Sequence, residues 1–124
     1  MILIFAAGSA SLVSQQNDYL SLLVPMILNS MIFRTQKAAL FIMWDESATK
    51  LNNIVPAIWA GPAARTGYTS TGTFGHYSAV KTIDIAWNLP PLTVYDSAAP
   101  GMIQFFPASI GVGAGGGGRR PLEM

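Results

Sequence analysis

The sequence predicts an α/β fold organised on a parallel sheet, and three observations carry that reading. The first is the run Ala38 to Trp44 (AALFIMW), seven apolar residues in succession. A short apolar run without polar alternation is the pattern of a strand buried on both faces, as strands of parallel sheets are. The second is an apolar run at Ile2 to Ala7, followed by Tyr19, Leu20, Leu22, Leu23, Met26, Ile27 and Met31 at helical spacing. Strand, helix, strand is the unit from which parallel sheets are wound. The third is the pair Asp45 and Glu46, placed directly after the central run. In open α/β sheets, ligands bind just beyond the carboxyl ends of the strands.

In chain order, Ile2 to Ala7 is the first strand. Its apolar run followed by small residues has the outline of a secretory leader, but no positively charged segment precedes it and the run is short. Gly8 to Gln16 reads as a loop, and Asn17 or Asp18 as the N-cap of the first helix. Pro25 falls inside the helical pattern and is expected to kink it or to start its second part. Asn29 to Lys37 returns the chain to the central strand. Ser47 to Asn53 is a polar loop, and Ile54 to Ala60 (IVPAIWA) a further buried strand, with Pro56 favouring an edge position or a strand start.

Gly61 to Gly75 is a loop of fifteen residues, rich in Gly, Thr and Ser. It delivers the chain to a second helix opening at Gly75-His76-Tyr77-Ser78, with Val80, Ile83 and Trp87 on its buried face and Ala79 and Ala86 beside them. Asn88 and Leu89 end it, and Pro90-Pro91 forbids continuation. Thr93 to Pro107 reads as irregular, anchored by Phe105 and Phe106. Residues 1–107 are thus expected to form one domain, and residues 108–124, which hold GVGAGGGG, a disordered Gly-rich tail. That glycine run lacks the Lys-Ser/Thr ending of a phosphate loop.

Composition narrows the function classes. Apolar residues make up 51% of the 124 and charged residues only 10%, against about a quarter charged in an ordinary soluble domain. A membrane protein, an obligate subunit and a piece of a larger domain all have such a surface deficit. A spanning helix needs about 20 apolar residues, and the longest candidate, Leu20 to Phe33, is interrupted by Ser21, Pro25, Asn29 and Ser30. No transmembrane segment is therefore expected. The net charge of +1 offers nucleic acid no electrostatic footprint. With no cysteine and a single histidine, any metal must be held by oxygen ligands or by His76.

The acidic pair admits two readings. Adjacent carboxylates repel one another, and a divalent cation between or beside them offsets that repulsion. Alternatively, both are solvated residues that open a turn.

The stretches AALFIMWDES, NIVPAIWAGP, FGHYSAVKTIDIAWNLPPLT and YDSAAPGMIQFF occur in this order. Together they resemble the C-terminal part of the phosphoesterase family that includes bacterial phospholipases C and acid phosphatases. The upstream NDYLSLLVPMILNS resembles the helix preceding that family's Asp-Glu strand, so the likeness covers about residues 15–107. The resemblance implies an alkaline-phosphatase-like α/β fold, its sheet mostly parallel with flanking helices, and hydrolysis of phosphate esters. It further implies that Asp45 and Glu46 bind a divalent metal ion. His76 matches the family's His-x-Ser helix start and is a third candidate ligand; capping the helix or lining a pocket wall is its other reading. Ser78 falls within the first turn of the helix and reads as structural. Asp84 stands where the family has Glu, and it and Lys81 read as surface or hydrogen-bonding residues.

The departures from the family define the expectation for activity. The N-terminal half that supplies a Ser or Thr nucleophile, an acidic-plus-amide metal site and further histidines has no counterpart here. The chain is expected to be a C-terminal fragment, inactive by itself, that meets a phosphate ester only when completed by the missing half. The alternative is a non-catalytic remnant or association module, which binds a second copy or a complementing chain through exposed apolar faces.

Overall fold

The computed structural model describes residues 2–6, 13–47 and 52–108. The glycine-rich segment read as a disordered tail lies outside them from residue 109 onward, as do Ala7 and most of the loop expected before the first helix. The chain divides into two compact units, Met1–Tyr68 and Thr69–Met124.

The first unit is built on strand β2, Leu40–Trp44. It lies between β1 (Ile2–Ala6) and β3 (Ala57–Ala60) in a three-stranded sheet. Leu40 and Phe41 are completely buried and Ile42 and Met43 nearly so, which is why the segment carries no polar residue. β1 pairs with it in parallel, Ile2 opposite Leu40 and Ala6 opposite Trp44. β3 pairs with it antiparallel, Leu40 opposite Ala60 and Met43 opposite Ala57.

That antiparallel ladder overturns the expected fold class. The sheet is mixed and small, with one antiparallel ladder for one parallel ladder, and not the mostly parallel sheet of an alkaline-phosphatase-like α/β fold. The physical reason lies in the connection. A strand buried on both faces has the same composition whichever way its neighbour runs, whereas direction is set by how the chain returns. The connection here carries Asn52 (φ 60°) and Asn53 (φ 47°), both in the left-handed conformation, which asparagine tolerates better than most residues. Pro56, immediately before β3, has no N–H to donate to the ladder. β3 is accordingly short and peripheral, and its first residues are exposed, so the buried strand expected over Ile54 to Ala60 is corrected as well.

Helix α1, Val13–Leu28, covers one face of β2. Leu20, Val24, Ile27 and Leu28 pack against a cluster of Phe33, Ala38, Leu40 and Ile42. The helix begins earlier than its apolar spacing suggests. Asn17 and Asp18 are inside it rather than at its cap, and Pro25 lies within it without ending it. Helix α2, Met31–Thr35, contributes Phe33 to the core. On the other face of β2, the rings of Phe41 and Trp59 stack at 4.2 Å between centroids, as cross-strand partners in register do. Among the described residues no helix is long and apolar enough to cross a membrane.

The second unit holds α3 (His76–Trp87), α4 (Val94–Ala98) and a 3-10 turn at Ile103–Phe105. The stretch expected to be irregular after Thr93 therefore contains two short helical elements. The buried residues of α3 are Ser78, Ala79, Thr82 and Asp84, whereas Trp87 is 52% exposed and Val80 and Ile83 are half-buried. Small and polar side chains suit a face that backbone approaches closely. The Thr82 hydroxyl donates to the Ser78 carbonyl (2.6 Å) and accepts from the Met102 N–H (2.8 Å), tying α3 to the segment before the 3-10 turn. Asn88 closes the helix in the left-handed conformation, φ 52°.

Candidate functional site

The sequence places Asp45 and Glu46 directly after Trp44, and the structure shows what the chain does there. The β2–β3 ladder ends at Trp44, whose N–H reaches the Pro56 carbonyl at 3.4 Å. Pro56 has no N–H to return. Beyond that point the backbone bends, and Asp45 and Glu46 occupy the bend, both exposed to solvent. The Glu46 N–H donates to Asp45 Oδ1 at 2.9 Å, and the Ser47 N–H donates to Asn53 Oδ1 at 2.7 Å.

The acidic pair is held from below. Trp44 is half-buried, and its indole Nε1–H donates to Gln16 Oε1 of α1 at 2.9 Å. Two carboxylates on a bend, anchored by a buried strand, form an oxygen-rich edge open to water. A carboxylate offers about four lone-pair directions, of which the Glu46 N–H engages one on Asp45.

His76 is the first residue of α3 and is exposed. It belongs to the second unit, while Asp45 and Glu46 belong to the first. Among the described residues no three Asp, Glu or His side chains gather as a metal site. The remaining candidates resolve individually. Ser78 is buried in the first turn of α3, where its hydroxyl accepts from the Gly75 N–H at 3.1 Å. Lys81 is half-buried. Asp84, expected at the surface or in a hydrogen bond, is only 4% exposed, and its Oδ2 is buried with no hydrogen-bond partner.

No family model matches the chain, and no curated protein or solved structure matches it either.

Sequence reasoning missed Gln16 and Asn53, the two residues that hold the neighbours of the acidic pair. Gln16 lies in a polar stretch without apolar period, and nothing local marks it as a partner of Trp44. Asn53 carried a signal in the Asn52-Asn53 pair, since asparagines in succession favour left-handed turn positions and short side-chain bonds to nearby backbone.

Proposed function

We propose that this chain carries part of the metal-binding apparatus of a phosphoesterase, with Asp45 and Glu46 as ligands to a divalent cation. The observation that carries the reading is the bend. Adjacent residues of an extended strand point to opposite faces, and the backbone at Asp45 and Glu46 has left strand geometry, so the two carboxylates are released from that opposition. The residue resemblance to phospholipases C and acid phosphatases supports it independently, as a likeness of sequence and not of fold.

The donor set fits a hard cation in kind. Magnesium-like ions keep several waters and take one or two protein carboxylates together with substrate phosphate oxygens. A cation bound there would neutralise charge on a phosphoryl oxygen. This chain's own residues would orient it: Trp44 and Gln16 fix the strand end, and Asn53 holds the backbone following Glu46. With two carboxylates against the about six oxygens such a cation takes, binding is expected to be weak. No residue of the chain is assigned the attack on phosphorus, so turnover requires the completing half.

Calorimetric titration of the full chain with magnesium, manganese and calcium tests the proposal. Binding should be lost in Asp45→Asn and in Glu46→Gln. Equal binding by the native chain and Glu46→Gln overturns it. Chromogenic phosphate monoesters and diesters should not be turned over by the chain alone.

A second reading, an association module without catalysis, is favoured by one observation. Tyr19, Leu22 and Met26 of α1 are 61%, 71% and 72% exposed.

A further inference from the structure

We propose that Tyr77 and Tyr95 form an oxidative cross-linking site, where a haem peroxidase fed with hydrogen peroxide joins the two rings as dityrosine. Both residues lie in the second unit, and the modification stands apart from metal binding at Asp45 and Glu46. The two rings stack with centroids 5.3 Å apart and planes 28° from parallel. Stacked aromatic pairs usually serve cores and interfaces, out of water. Here Tyr77 is 50% exposed and Tyr95 63%. Both phenols are open to an oxidant while they lie against one another.

The fold sets the two backbones and leaves the rings room to turn. Tyr77 is the second residue of α3, in a first turn that the Gly75 N–H steadies by donating to the Ser78 hydroxyl at 3.1 Å. Tyr95 is the second residue of α4, and its N–H donates to the Thr93 hydroxyl oxygen at 3.2 Å, in the cap that Asp96 completes. Coupling requires stacked rings to swing until a carbon beside each phenol oxygen meets its counterpart. Rotation about the side-chain bonds supplies that swing, and half-exposed rings have space for it.

The chemistry balances. Each phenol gives up one electron to the peroxidase and one proton to water, leaving two tyrosyl radicals. These pair in a carbon–carbon bond between the ring positions beside the two oxygens. The hydrogen on each joined carbon then moves to its own ring's oxygen, which restores both phenols. The two electrons and two protons reduce hydrogen peroxide to two waters. Radicals held side by side couple with each other in preference to a partner that must arrive by diffusion. The chain has no cysteine, so no thiol of its own quenches them first. The product ties the start of α3 to the start of α4.

Treatment of the full chain with a haem peroxidase and limiting hydrogen peroxide tests the site. The product should be a monomer lighter by two hydrogen atoms, with dityrosine fluorescence and with the Tyr77 and Tyr95 peptides joined after digestion. Oxidation of Met26 and Met31, 72% and 79% exposed, adds oxygen instead and is told apart by mass. The yield of linked monomer should not depend on chain concentration, and it should fall in denaturing urea, where the fold no longer holds the rings together. Tyr77→Phe and Tyr95→Phe keep an aromatic ring and remove the phenol oxygen, so each should lose the product with an unchanged circular dichroism spectrum. Tyr19→Phe and Tyr68→Phe should retain it. Linked monomer that persists in Tyr77→Phe or Tyr95→Phe overturns the proposal, as does an equal yield in urea. A native chain that gives only dimers between molecules, or no dityrosine, overturns it too.

Discussion

The indole of Trp44 donates to the side-chain oxygen of Gln16 across 2.9 Å and twenty-eight residues of sequence. This bond joins the early turns of α1 to the last residue of β2, one residue before the acidic bend. The site's support is therefore a helix–strand contact and not the loop that carries the carboxylates. Gln16→Ala should cost about 1 kcal/mol, the usual net value of a partly buried hydrogen bond. Urea denaturation measures it. If Asp45 and Glu46 bind a cation, the same variant should weaken that binding although it touches neither ligand.

Gly61 is required for two separate reasons, and a comparison with Gly67 separates them. Gly61 has φ +105°, and a Cβ there would lie 2.8 Å from the Phe33 ring and 3.0 Å from the Ala38 carbonyl oxygen. Gly67 has φ +65° with nothing within 4 Å of a Cβ. Gly67→Ala should cost about 1 kcal/mol from backbone strain alone. Gly61→Ala should cost clearly more, since Ala38 and Phe33 belong to the core and must move. Equal thermal stabilities of the two variants would show that the Phe33 contact is relieved without cost.

Asp96 binds its own helix start. Its carboxylate accepts the Thr93 hydroxyl and the N–H groups of Thr93 (2.7 Å) and Leu92 (2.8 Å), while the Thr93 oxygen accepts from the N–H groups of Tyr95 and Asp96. The Thr93 hydroxyl, opposed by burial and aided by the backbone N–H groups, holds the Asp96 carboxyl below its ordinary value of 3.8. A carboxyl depressed in the folded state stabilises fully above its unfolded pKa and loses that contribution as pH falls through the folded value. The native chain should therefore exceed Asp96→Asn in melting temperature near neutral pH. The gap should close only below about pH 4. A gap that does not change between pH 7 and pH 2 would show that the carboxyl is not depressed.

Asp84 should behave in the opposite sense. Its Oδ2 is buried without a partner, and an unsatisfied buried group costs about 1–3 kcal/mol, more when charged. Asp84→Asn keeps the shape and removes the charge, so it should raise the midpoint of urea unfolding. A lowered midpoint would overturn this expectation.

Much of this protein was legible from residue order. The identity of β2 as the buried central strand follows from seven apolar residues, because a segment without polar side chains has few alternatives to burial. The edge character of β3 follows from Pro56, which cannot donate to a ladder, and the end of α3 from Asn88 and the prolines beyond it. Tertiary structure decided the rest. The direction of β3, antiparallel to β2, depends on how the connection returns, and strand composition carries no record of direction. The first turns of α1 include Gln16, which meets Trp44, a pairing between residues distant in sequence. The buried face of α3 went to Ser78, Ala79, Thr82 and Asp84 because close backbone approach at Met102 favours small and hydrogen-bonding side chains over the larger apolar ones that periodicity selects. Whether a side chain near a strand end meets a cation, a neighbour or water is fixed by what folds beside it, and local sequence does not encode that neighbour.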